Sequence, residues 1–140
     1  MRCTLKDMSP AITPLYAGLL GLIYIYLSLR IPRMRVRYRV GIGDGDVPEL
    51  RKAIRVHANF AEYVPLALLL LLLVEQAHYS PWFVHFLGML LLGARCAHAY
   101  GLSQSAGHSP GRFVGAVLTF FTLFACSALL ILKSALTWLS

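Results

Sequence analysis

The amino-acid sequence predicts an all-α fold, a membrane-embedded four-helix bundle. Hydrophobic residues make up 58% of the 140 residues and charged residues only 14%, whereas soluble domains are typically about 25% charged. A single domain of this length cannot bury so much apolar surface in its own core, so lipid must cover part of it. The chain has four apolar runs of roughly 20 residues each, and each is long enough to cross a hydrocarbon core of about 30 Å.

Each apolar run is predicted to form a helix, and the positions of the prolines support this. The first run is interpreted as a membrane anchor, because no small-residue cleavage site is evident and three more spans follow it. Pro48 and Pro81 stand in the first turn of a helix, where proline is favoured. Pro65 falls inside the second helix and is expected to kink it, which neighbouring helices tolerate in a membrane. The predicted helices cover residues 11–30, 48–75, 81–100 and 111–138.

Positive charge is concentrated in one short loop rather than spread over a surface. The net charge is +7, yet the second loop, residues 75–80, contains no lysine or arginine. The positive-inside rule therefore predicts that loops one and three lie in the cytoplasm. This distribution is typical of membrane topology and argues against a nucleic-acid-binding protein. The arginines of the first loop are Arg30, Arg33, Arg35, Arg37 and Arg39.

Neither the cysteines nor the glycines of the chain indicate a metal or phosphate site. The three cysteines are scattered without metal-ligand spacing, and two fall inside predicted spans, so neither a metal site nor a disulfide framework is predicted. The glycine-rich stretch 41–46 resembles a phosphate-binding loop only superficially. It follows no strand and carries two aspartates, so a turn that leads into the second helix is the favoured interpretation.

The second helix carries ionisable residues at membrane depth. Counted back from its outer end at 1.5 Å per residue, Glu62 lies about 20 Å into the membrane. Arg51, Arg55, Asn59 and Glu62 fall within one stripe roughly 80° wide, while His57 points to a different face. Charges at such depth are costly, so the stripe is predicted to face protein or water rather than lipid.

Arg95 in the third helix lies at nearly the same depth as Glu62. Opposite charges at matching depth on adjacent helices predict an ion pair between these two side chains. One interpretation is a structural set of polar contacts that fixes helix register. The excess of positive charge favours instead a site for a polar, anionic ligand, to which Arg112 at the start of the fourth helix adds another cation. For Arg112 alone, contact with a phospholipid headgroup is the simpler interpretation.

These residues carry a resemblance to a known family. The segment Arg55-Val-His-Ala-Asn59-Phe-Ala-Glu62-Tyr63-Val-Pro65 resembles the second-helix signature of the MAPEG family, the membrane-associated proteins of eicosanoid and glutathione metabolism. Gly43-Asp44-Gly45 and Arg95-Cys-Ala-His98-Ala-Tyr100-Gly-Leu are similar to its bacterial branch. The similarity spans the chain after about Thr13. It implies homotrimers of four-helix subunits, with glutathione sites between neighbouring subunits near the cytoplasmic face.

The resemblance also implies roles for individual residues. Arg112 matches the helix-four arginine near the thiol in catalytic members and is the predicted catalytic residue, with a gap in the third loop. Arg33 or Arg35 matches a first-helix arginine that reaches the neighbouring subunit's site. A family tyrosine on the ligand face corresponds to Leu102. The residues that match positions holding glutathione are Arg55, Asn59, Glu62, Tyr63, Arg95 and His98.

The function implied is that of an integral protein of the bacterial inner membrane that binds glutathione as cosubstrate. It is expected to act as a glutathione transferase or peroxidase on lipophilic electrophiles or lipid hydroperoxides that arrive from the bilayer. A guanidinium near the sulfur would favour the thiolate, which is the nucleophile.

The alternatives are a non-catalytic binding or scaffold protein and a small-solute conduit. A conduit is disfavoured because the apolar run Leu66–Leu73 interrupts any polar path. The expected partners are glutathione, the lipophilic substrate, membrane lipids and further copies of the chain.

Overall fold

In a computed structural model, which describes residues 12–104 and 109–139, the chain forms four α-helices. All four are long and apolar enough to cross a membrane. The predicted all-helical class is therefore confirmed for the described residues, while the predicted first helical residue, at position 11, lies outside them. The helices are α1 (Ile12–Tyr38), α2 (Pro48–Gln76), α3 (Pro81–Gln104) and α4 (Pro110–Leu139).

Helices α2 and α3 form the centre of the bundle. Each packs against the three other helices, whereas within the described ranges no Cα atom of α1 lies within 8 Å of one of α4. We call the end where α1 and α3 finish and α2 and α4 begin the basic end, because it carries the arginines of positions 30–39. Helix α2 continues through Pro65 and buries one residue every three or four positions, as a helix packed along its length requires. These buried residues are Leu50, Ala53, Val56, Phe60, Val64, Ala67, Leu71 and Val74.

Helix α1 is longer than the sequence predicts. It continues beyond position 30, through Pro32, to Tyr38, so Arg33, Arg35 and Arg37 lie on a helix rather than in a loop. Proline removes one backbone hydrogen bond from a helix. Arginine, however, is a good helix former, and positive charge in the last turn interacts favourably with the carbonyl end of the helix. The charge of this segment was therefore a poor guide to its backbone conformation.

The glycine-rich turn between α1 and α2 holds Arg51. The Nη2 of Arg51 donates to Oδ1 of Asp46 at 3.1 Å, and its Nε donates to the carboxylate of Asp44. The hydrogen bond from Arg51, helped by the backbone amide of Asp46, holds the pKa of Asp44 below its usual range. Gly43 and Gly45 adopt φ values of +70° and +56°, which side-chain-bearing residues rarely adopt. Both aspartates thus serve the turn into α2.

Two polar contacts fix α1 against α2 at opposite ends of the hairpin. The carboxylate of Glu75 accepts hydrogen bonds from the backbone amides of Ile12 at 2.6 Å and Thr13 at 2.8 Å. It thereby satisfies two amides that a helix start leaves unpaired. Nearer the basic end, Oγ of Ser28 and Nε2 of His57 lie 3.0 Å apart in a hydrogen bond. His57 therefore faces α1, away from the charged stripe of α2.

Candidate functional site

Helices α3 and α4 approach closely at the basic end because glycines line their contact. A Cβ atom at Gly115 would lie 2.5 Å from the carbonyl oxygen of Ala94, and one at Gly101 would lie 2.4 Å from the backbone nitrogen of Arg112. Small residues allow such approach between membrane helices. The approach places Nδ1 of His98 3.0 Å from the carbonyl oxygen of Arg112. Because a carbonyl oxygen only accepts, Nδ1 carries the hydrogen.

Arg95 lies at the centre of the site and is 1% exposed. Its Nη2 donates to Oδ1 of Asn59 at 2.8 Å, and its Nη1 donates to Oγ1 of Thr119 at 3.5 Å. The guanidinium carbon lies over the rings of Phe60 and Tyr63, 5.4 and 5.8 Å from their centroids. Its Nε has no hydrogen-bond partner in the described part of the chain. The buried cation is therefore held by neutral groups.

The predicted ion pair between Glu62 and Arg95 is wrong. Oε1 of Glu62 instead accepts from Nη1 of Arg55, two turns earlier on the same helix, at 3.3 Å. Among residues 12–104 and 109–139, no carboxylate oxygen lies within 4.0 Å of an Arg95 nitrogen. Equal depth in the membrane sets the height of two groups but leaves their positions around the helix axes open. Arg95 points into the bundle, whereas Glu62 points out of it.

The charged stripe of α2 divides between the inside and the outside of the subunit. Asn59 is partly buried against Arg95 of α3. The Arg55 and Glu62 side chains are 61% and 47% exposed on the surface of the subunit. Ionised groups at membrane depth are costly against lipid. The outward pair is therefore expected to be covered by protein or ligand, and this part of the prediction stays open.

A small cavity of about 30 Å³ lies behind the outward pair, between α2, α3 and α4. It has room for roughly one or two water molecules and not for a peptide. A ligand larger than water would have to bind outside this cavity, on the face of the subunit that carries Arg55 and Glu62. The cavity is lined by Asn59, Tyr63, Arg95, His98, Ala116, Thr119 and Phe120.

The structure thus brings most of the predicted site residues together. Four of them line the cavity, and Arg55 and Glu62 share the α2 stripe with Asn59. Arg112 lies next to His98, which hydrogen-bonds its backbone carbonyl. Arg33 and Arg35 lie apart, on the α1 extension across the bundle from α4.

Leu102, to which the resemblance assigns the position of a family tyrosine, is 6% exposed and packs in the apolar core. Tyr100 is 68% exposed and points away from the cavity. Neither residue lines the cavity.

Sequence reasoning missed Thr119, which is 1% exposed and lies against Arg95. Its Oγ1 donates to the carbonyl of Gly115 at 2.7 Å, so its lone pairs face the guanidinium. The signal was the spacing of Gly111, Gly115, Thr119 and Thr122, which places small and hydroxyl-bearing residues on one face of α4. This face allows α4 to pack closely against polar groups of the neighbouring helices.

Comparison with known proteins adds two findings. The model of the MAPEG family matches residues 13–132. The chain is 42% identical over 90 residues to Inner membrane protein YecN of Escherichia coli strain K12, a match that covers 64% of this chain and 69% of that protein. The protein of the same name from Escherichia coli O6:H1 strain CFT073 matches to the same extent.

Proposed function

Because this chain belongs to the MAPEG family, we propose that it is an integral inner-membrane protein that binds glutathione and uses it against lipophilic substrates. The reaction is conjugation to an electrophile or reduction of a lipid hydroperoxide. The observation that carries the proposal is the outward Arg55–Glu62 pair, whose charged atoms lie 3.3 Å apart, backed by the buried cation of Arg95. The inner membrane is proposed from the name of the Escherichia coli relative.

Glutathione carries two carboxylates and one ammonium group, so a site for it must offer both signs of charge with an excess of positive charge. A carboxylate would accept charge-assisted hydrogen bonds from Arg55, and the ammonium group would donate to Glu62. Exposed ion pairs are individually weak. A ligand that offers each partner an opposite charge can therefore replace the Arg55–Glu62 bond. Arg95 contributes further positive charge, since no carboxylate oxygen of the described chain lies within 4.0 Å of its nitrogens.

The start of α4 supplies the proposed chemistry. Arg112 is the third residue of α4, where the positive end of the helix adds to the charge of its guanidinium. Both favour the thiolate over the thiol. In conjugation, the sulfur forms a bond to the electrophilic carbon, and the leaving group departs with the bonding electrons. In peroxide reduction, two glutathione molecules supply two electrons and two protons and become one disulfide, while the hydroperoxide becomes an alcohol and water.

The proposal includes a homotrimer with the site between subunits. Its support is the outward exposure of Arg55 and Glu62, since charged groups at this depth need protein cover. Arg33 and Arg35 extend from the end of α1 and are the candidates to complete a neighbour's site. The basic end faces the cytoplasm in this arrangement, as the positive-inside rule favours.

A binding protein without turnover is the second candidate. The observation that favours it is Leu102, a core residue at the position of a family tyrosine. Loss of that hydroxyl removes a polar group near the reacting end of the site without touching Arg55, Asn59 or Glu62.

Calorimetry on the purified, detergent-solubilised protein tests the proposal. The titrants are glutathione and γ-glutamyl-alanyl-glycine, which carries the same charges without a thiol. Both are expected to bind, and only glutathione should produce the ultraviolet absorbance of a thiolate and conjugate a model aryl halide. Binding of neither peptide contradicts the proposal. Binding of both without thiolate or turnover leaves the non-catalytic candidate.

A further inference from the structure

A larger opening lies across the bundle from the site, in a groove between α1 and α3. Its volume of about 580 Å³ falls within the range of small-molecule sites. One part of its lining is apolar and includes Ile23, Leu27 and Cys96, whereas the other part is polar and includes Arg30 and Ser103. The groove is therefore shaped for an amphiphile rather than for a wholly polar ligand such as glutathione.

The polar and apolar parts are ordered along the membrane normal. Helices α1 and α3 run in the same direction, so Arg30 and Ser103, each near the end of its helix, lie together at the basic end. Nη1 of Arg30 donates to Oγ of Ser103 at 3.2 Å. Leu27 and Ile23 lie one and two turns deeper, so the groove passes from charged to apolar over about 10 Å.

No acidic residue offsets the charge of this groove. The sequences of α1 and α3 contain neither aspartate nor glutamate. No carboxylate of the described chain lies within 4.0 Å of an Arg30 nitrogen. Arg33 and Arg37, three and seven positions further along α1, continue the same helix face beyond the groove. The apolar part of the groove thus leads to a row of arginines at the membrane surface.

We infer that this groove binds an anionic phospholipid, with its phosphate at Arg30 and one acyl chain along Leu27, Ile23 and Cys96. A guanidinium matches the geometry and charge of a phosphate. Basic pockets between membrane helices are the usual binding places of anionic headgroups. A zwitterionic lipid brings a cation of its own to the arginine row and binds less well. The inference does not depend on glutathione binding, because the proposed glutathione site uses neither Arg30 nor the apolar lining of this groove.

Native mass spectrometry of the delipidated protein tests the inference, with phosphatidylglycerol and phosphatidylcholine of identical acyl chains as probes. Phosphatidylglycerol is expected to be retained more tightly. Arg30→Gln should weaken its binding roughly fivefold, the effect of one arginine near a headgroup. The matched control, Arg39→Gln, removes the same charge from an exposed residue outside the groove lining and should have a smaller effect. Cys96→Phe, which fills the apolar part, should displace the lipid with every arginine intact.

Three outcomes overturn the inference. Equal affinity for both lipids removes the role of charge, and equal effects of Arg30→Gln and Arg39→Gln indicate diffuse attraction to the surface. A change in oligomeric mass in Cys96→Phe, with lipid binding unaltered, assigns the groove to contact between copies of the chain. Should Arg30→Gln fail to fold, Cys96→Phe decides alone, because its substitution is at an exposed position. Glutathione affinity, measured on the same samples, should stay constant.

Discussion

Arg95 donates a 2.8 Å hydrogen bond to Asn59 across the contact between α2 and α3, and the pair lies beside a cavity too small for any ligand larger than water. Burial of a guanidinium is costly unless acceptors offset the loss of water at its N–H groups. The amide of Asn59 satisfies that need without supplying negative charge. A carboxylate in its place would cancel the positive potential that the site offers to an anion.

Replacement of Asn59 by alanine is predicted to destabilise the protein. Arg95 would lose its closest acceptor while remaining buried, at a cost of about 1.5–3 kcal/mol, typical of a hydrogen bond to a charged group. The control is Glu62→Gln, which breaks only an exposed pair and should cost less than about 1 kcal/mol. Thermal melting in detergent measures both. Equal losses would contradict the view that Asn59 is the main support of the buried cation.

A methyl group at Gly115 is predicted to separate α3 from α4. The Cβ atom would lie 2.5 Å from a backbone oxygen of α3, and backbone cannot move aside as a flexible side chain can. We expect Gly115→Ala to cost about 1–3 kcal/mol, as overpacking does. Gly93→Ala is the matched control, because a Cβ there meets nothing within 4 Å. That variant should be as stable as the wild type, or more stable by up to about 1 kcal/mol.

Arg55 and Arg112 are predicted to affect different steps. Arg55→Ala should weaken glutathione binding by roughly 10- to 100-fold, through loss of a charge-assisted hydrogen bond. Arg112→Ala should leave most of the affinity, while thiolate formation and conjugation fall together by about 10²–10³-fold. Calorimetry, thiolate absorbance against pH, and aryl halide turnover separate the two effects. Unchanged turnover in Arg112→Ala would remove that residue from the mechanism and leave the binding site standing.

Acid is predicted to loosen the turn that precedes α2. Because the pKa of Asp44 is lowered in the folded protein, its ionised form stabilises the fold. This contribution is complete above the ordinary value of 3.8 and disappears as the pH falls through the lowered one. Asp44→Asn should therefore be less stable than wild type at neutral pH, with the difference shrinking in acid. Denaturation curves across that pH range measure it, and a difference independent of pH would refute it.

The hydropathy pattern predicted four helices because a span needs about 20 apolar residues whatever its partners are. Counting residues put Glu62 and Arg95 at the same depth in the membrane. Depth alone does not determine which side chains they contact, because that depends on the rotation of each helix about its axis. The end of α1 was missed because Arg33 and Arg35 were interpreted by their charge instead of their helix propensity. Thr119 was missed because a single hydroxyl in an apolar span carries little signal until its helix face is considered.

The two polar contacts between α1 and α2 restrict how these helices can move relative to each other. Thr13 and Ser28, which lie about 22 Å apart along α1, are each hydrogen-bonded to α2. Because α1 is bound at two heights, it can neither slide along α2 nor rotate about its own axis without breaking one of these contacts. The hairpin of α1 and α2 is therefore expected to move as one rigid unit. Helix α4 is attached to α2 and α3 instead, through the close glycine contacts at the basic end and the hydrogen bonds of Arg95 and His98. Helix α4 is therefore expected to move together with α3 rather than with α1.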